Sequence, residues 1–141
     1  NGSEIITGNL TIDGDQIKTL ALLDNIITQI NGDLRINCST LTTFDGLYGL
    51  TKITGNLIVE RTSYTTYITM EGLNNLTTIG GDFKIIDYAR IKNINELEKL
   101  TSIGGNFIIS CNIESLEGLK NLTSIGENFE ILGRVDDLNS F

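Results

Sequence analysis

The chain has 141 residues, 40% of them hydrophobic and 20% charged, which is enough for one domain with a buried core and too apolar for a disordered tail. Its net charge of −8 and pI near 4.4 argue against nucleic acid as a partner, and no run nears the ~18 apolar residues of a membrane span. With no His, a Ser–His or Cys–His nucleophile pair is impossible and the commonest metal ligand is missing, so no cofactor is expected.

The chain opens Asn1-Gly2-Ser3, without Met or a charged-then-apolar leader, and reads as a mature segment from which any targeting signal has been removed. From Ile6 onward one phrase, Ile-x-Gly-Asn/Asp-Leu/Phe-x-Ile/Val, recurs six times, with Glu127 in place of the Gly in the last copy. It starts at Ile6, Ile30, Ile53, Ile79, Ile103 and Ile125, with spacings of 24, 23, 26, 24 and 22 residues. Each copy opens with alternating residues, as in Leu57-Ile58-Val59, the pattern of a short strand. The approach to the next copy uses period three: Leu41, Phe44, Leu47, Leu50, Ile53, and again Ile113, Leu116, Leu119, Leu122, Ile125. An α-helix, with 3.6 residues per turn, drifts off such a stripe, whereas tight turns with one apolar residue per corner keep to it. The fold predicted is therefore all-β: a parallel β-helix or leucine-rich solenoid of about six coils, forming a single domain over residues 1–141. Here each coil is counted from its first Ile.

Three places depart from the regular coil. In the first, Gln16 to Asp24 is rich in apolar residues and predicts a short helix that covers the open core. In the third, Arg61-Thr62-Ser63-Tyr64-Thr65-Thr66-Tyr67 is an insertion, and insertions of this kind gather on a binding surface. After Ile131 the tail Gly133 to Leu138 either folds over the base or leads into a longer protein.

Stacked coils turn columns of letters into ladders, since parallel strands lie roughly 4.8 Å apart. The six Ile form a spine. The Asn/Asp column (Asn9, Asp33, Asn56, Asp82, Asn106, Asn128) is expected to bond to turn backbone. So is the Thr column (Thr28, Thr51, Thr77, Thr101, Thr123). Cys38 and Cys111 both fall eight residues past their spine Ile, in coils two and five, which separates them by roughly 14 Å, too far for a disulfide. Two free thiols, packed as small apolar groups, are predicted. Arg61 and Asp87 share that column in adjacent coils and are expected to pair.

Phrases such as Leu47-x-x-Leu50-x-x-Ile53-x-Gly55-x-Leu57-x-Val59 and Leu119-Lys120-Asn121-Leu122-Thr123-Ser124-Ile125-Gly126 resemble the receptor L domain. This is a leucine-rich module of receptor ectodomains, and similar repeats occur in microbial surface proteins. The resemblance runs from about residue 5 to 132 and implies a right-handed solenoid used as an extracellular or cell-surface recognition domain. The chain lacks the terminal disulfides of the animal receptors and is closer to the microbial type.

The expected function is non-catalytic binding of a protein or glycan through the exposed strand face and the coil-three loop. Ile58, Ile86 and Ile108 occupy outward strand positions on consecutive coils and predict an exposed apolar diagonal bordered by Tyr64, Tyr67 and Tyr88. The competing reading is a β-helix polysaccharide-active enzyme using Glu60, Asp87, Arg61 and Arg90, but no motif holds those groups together. Outward strand positions lack the Thr-x-Thr repeat of an ice-binding ladder, and no calcium-loop spacing is present. Five Asn-x-Ser/Thr sequons begin at Asn1, Asn9, Asn37, Asn75 and Asn121, with Asn75 and Asn121 the best placed to carry glycan. The ligand and the oligomeric state are left open by the sequence.

Overall fold

Every copy of the motif folds into two short strands joined by a turn at the Gly–Asn/Asp pair. The computed structural model describes residues 3–62, 67–86 and 89–137. In chain order the strands are β1 (Glu4–Thr7), β2 (Leu10–Asp13), β3 (Ile27–Asn31), β4 (Leu34–Asn37), β5 (Lys52–Ile53), β6 (Leu57–Glu60) and β7 (Thr78–Ile79). They continue with β8 (Phe83–Ile86), β9 (Ser102–Ile103), β10 (Phe107–Ile109), β11 (Ile113–Ser115), β12 (Ser124–Ile125), β13 (Phe129–Ile131) and β14 (Val135–Asp137).

The first strands of the copies make one sheet, ordered β1-β3-β5-β7-β9-β12, and the second strands make another, ordered β2-β4-β6-β8-β10-β13. All pairings are parallel. The register carries Ile6 onto Ile30, Ile53, Ile79, Ile103 and Ile125 in turn, so the spine runs unbroken. Leu10, Leu34, Leu57, Phe83, Phe107 and Phe129 stack in the same way on the second sheet. The six strand pairs bound a β-solenoid of about five turns, the parallel β-helix architecture expected. A third side is lighter: Ile68 bridges to Ile91, and β11 pairs with β14.

Between the sheets, the period-three stripe is a chain of tight turns in which each apolar corner bonds to the previous one. Leu47 N–H donates to Phe44 O and Leu50 N–H to Leu47 O; Leu73, Leu76, Leu97, Leu100, Leu119 and Leu122 do the same in later coils. Every third residue is therefore carried inward, where Leu47, Leu50, Leu73, Leu76, Leu97 and Leu100 are fully buried.

The first coil follows this rule too, and the short helix expected near 16–24 is confined to one tight turn. Only Ala21–Leu23 make a single 3-10 turn, with Leu20, Leu23 and Ile26 as its corners. Asp24 and Asn25 then adopt left-handed φ of 52° and 59°, which ends the turn. Leu20 is buried and Ile17 and Leu23 pack against the core, whereas Leu22 lies outside the corner positions and is 98% exposed.

The ladders bind coil to coil. Asn9, Asp33, Asn56 and Asp82 each accept, at Oδ1, the backbone N–H of the equivalent residue one coil on, at 2.7 Å in all four cases. Thr51, Thr77, Thr101 and Thr123 each donate Oγ1–H to the carbonyl of the preceding Thr, at 2.9–3.1 Å. Turn backbone is thus satisfied between coils as well as within them.

At the far end the core opens. Phe129 is 40% and Leu132 67% exposed, and Leu122 and Ile125 are half-buried. The described tail does not fold over this base: Val135 sits on Ile113, so β14 continues the winding. Leu138 lies outside the described residues.

Candidate functional site

On the second sheet the outward residues between the two inward ones form the row Thr11, Arg35, Ile58, Lys84, Ile108, Glu130. Ile58 and Ile108 flank Lys84, whose Nζ lies 3.3 Å from Asp82 Oδ2 in the turn just before β8. Ile86 is two residues further along β8, paired with Glu60. The three isoleucines therefore surround Lys84 rather than running as a diagonal. All three are half-buried, not freely exposed, because side chains of adjacent strands cover their flanks and the lysine stem lies between them.

Glu60 faces differently from the expectation. Its side chain is only 8% exposed, and Oε1 accepts from Arg35 Nε at 2.8 Å, reaching diagonally from β6 to β4. The Arg35 side chain is itself half exposed, so the pair lies at the edge of the sheet face, with its carboxylate enclosed. Arg61, in the left-handed region at φ 47°, donates Nε–H to Asn37 Oδ1 at 2.7 Å. Its expected partner Asp87 lies outside the described residues, as do Tyr64 and Tyr88.

Tyr67 is 47% exposed, and the Arg90 guanidinium carbon sits 4.8 Å from its ring centroid, a cation–π contact. Arg90 is positioned by its backbone N–H, which donates to the buried Thr62 Oγ1 at 2.6 Å. Tyr67 walls two shallow hollows. One of about 210 Å³ is shared with Arg90, Cys111 and Asn112; the other, of about 140 Å³, is shared with Lys92, Glu114 and Arg134. Both cysteines are free. Cys38 is fully buried and its Sγ lies 3.3 Å from Ile17 O, while Cys111 is half-buried and burial pushes its thiol pKa up.

The sequons are tied into the scaffold. Asn75 and Asn121 each donate Nδ2–H, at 2.6 Å, to the carbonyl of Tyr48 and Glu98 in the preceding coil. Attaching glycan at either nitrogen competes with that bond, contrary to their apparent suitability in the sequence. Among the described residues no group of three or more Cys, Asp or Glu is placed to hold a metal ion, and no helix is long and apolar enough to cross a membrane.

Sequence reasoning missed a hollow of about 400 Å³, lined by Asn74 and Asn75 of the third coil and Asn95, Glu96, Glu98 and Lys99 of the fourth. A signal was present: Gly46, Gly72 and Gly118 form a column that Glu96 interrupts. Compared with family models, curated proteins and solved structures, the chain matches none. What its geometry defines is a class of architecture, the β-solenoid.

Proposed function

We propose that this chain is a non-catalytic recognition module, an extracellular or cell-surface domain of the microbial receptor L-domain type that engages a protein or glycan. The binding surface is the strand face around Lys84 together with the coil-three side marked by Tyr67. One observation carries the reading: Ile58, Ile86 and Ile108 are partly exposed around a lysine on one sheet, a mixture of apolar and charged groups of the kind found in interfaces. The repeat's resemblance to surface leucine-rich modules supports the location. A polysaccharide-active enzyme is less well supported, because Glu60 is enclosed and committed to Arg35 rather than open to substrate.

The test is a screen of immobilised extracellular proteins and glycans, followed by the variants Ile58→Ser/Ile86→Ser and Tyr67→Ser on any binder. Both are expected to lose at least tenfold in affinity while keeping the wild-type circular dichroism spectrum. Undiminished binding by both, or no binder in the screen, overturns the proposal.

A further inference from the structure

The coils of this solenoid close on one another because a glycine stands where they touch. A Cβ built on Gly46 would lie 1.9 Å from Leu20 O, and on Gly72 or Gly118 it would lie 1.8 Å from Phe44 O or Ile94 O. No real side chain tolerates that distance. Leu22, the residue of this column in the first coil, has no earlier coil beneath it. The fourth coil does, yet it carries Glu96. A real Cβ there cannot make the close approach made at Gly46, Gly72 and Gly118.

The donor at this corner is met in more than one way along the stack. Phe44 N–H donates to the backbone carbonyl of Glu71 at 2.7 Å, whereas Leu20 N–H is taken by the Asp45 carboxylate at 3.3 Å and Met70 N–H by the Glu96 carboxylate at 3.1 Å. Beside Glu96 lies the hollow of about 400 Å³.

Six polar residues line it, presenting both polar and apolar surface. Asn75 Oδ1 accepts from Lys99 Nζ at 2.7 Å and Asn74 Oδ1 from Gly72 N–H at 2.9 Å, which fixes both amides and aligns their neighbours. Asn95 is different: its Oδ1 is shut off from solvent and has no hydrogen-bond partner. Such an orphaned acceptor is a standing cost in a folded protein. Asn95 also lines the hollow, beside Glu96, Glu98 and Lys99.

From this geometry we infer that the hollow between the third and fourth coils binds one sugar residue, with the Asn95 amide, the Glu96 carboxylate and Lys99 meeting its hydroxyls. A polyol suits this wall because each hydroxyl both donates and accepts, matching amides, a carboxylate and an ammonium side by side. The two carboxylates Glu96 and Glu98 disfavour an anion. The volume falls within the about 300–1,000 Å³ of small-ligand sites. The site is separate from the strand face, so the two readings stand or fall independently.

The experiment is a ¹⁵N-amide NMR titration with the methyl pyranosides of glucose, mannose and galactose and with N-acetylglucosamine. Each is taken to about 50 mM, as a shallow site with a Kd on the millimolar scale requires. At least one sugar is expected to give saturable shifts at Asn74, Asn75 and Asn95 to Lys99. Glu96→Gly, which restores the glycine column and frees Met70 N–H for the Asn95 carbonyl, should fold normally and weaken that binding at least tenfold. Asn95→Leu should do the same while leaving the coil spacing intact. Ile58→Ser/Ile86→Ser should leave the shifts unchanged, which separates this site from the strand face. The inference is overturned if no sugar shifts these amides, if a lysine-containing peptide does so and sugars do not, or if Glu96→Gly and Asn95→Leu both bind as wild type.

Discussion

Replacing Phe107 by Ala probes the stacked-coil geometry most directly. Phe107 is fully buried, with Phe83 edge-on at a centroid distance of 5.3 Å on one side and Phe129 stacked at 4.8 Å on the other. Truncating a buried Phe costs about 3–5 kcal/mol, a figure that includes the cavity left behind and the lost ring contacts. Phe129 belongs to the same column but closes it, and it is 40% exposed. Scaling the same figure by the remaining burial puts Phe129→Ala at about 2–3 kcal/mol. Urea unfolding followed by circular dichroism should place the two variants at least about 1 kcal/mol apart. In thermal unfolding Phe107→Ala should lower Tm by about 12–20 °C, taking about 4 °C per kcal/mol for a chain of this size. Equal costs for the two substitutions, or less than about 2 kcal/mol for Phe107→Ala, would refute the placement of Phe107 between two coils with Phe129 at an open end.

Two further outcomes follow from individual side chains. The Asp82 carboxyl is held below its ordinary value, first by the Asn106 backbone N–H and also by Lys84, so its folded pKa is lower than its unfolded one. Its contribution to stability is therefore fully present above the unfolded value near 3.8 and is lost as pH falls through the folded one; Asp82→Asn, which keeps the Oδ1 acceptor, should flatten the pH dependence of urea unfolding in that acid range. Native thiol titration with an aromatic disulfide reagent should leave Cys38 unmodified and modify Cys111 slowly, because burial raises its pKa; both should react in denaturant, and a disulfide-linked pair would contradict the coil register.

Much of this molecule is legible in its letters because coil-to-coil contacts repeat at a nearly fixed interval. The Ile spine, the Asn/Asp and Thr ladders and the separation of the cysteines all follow from matching positions two dozen residues apart. Local composition misled at Gln16 to Asp24, where apolar density suggested a helix. There the corner-to-corner bonds from Leu20 to Leu23 and Ile26 impose the same tight turns as elsewhere and leave Leu22 outside.

What the sequence by itself determined was therefore the register, since one residue of slip would turn every buried Ile, Leu and Phe outward. The tertiary structure alone decided how side chains reach across that register. Arg35 crosses to Glu60, Asn75 and Asn121 spend their amide nitrogens on the preceding coil, and Glu96 takes the Met70 N–H of the coil before it. Such choices depend on rotamers and on how closely two backbones approach, which a column of matching letters does not encode.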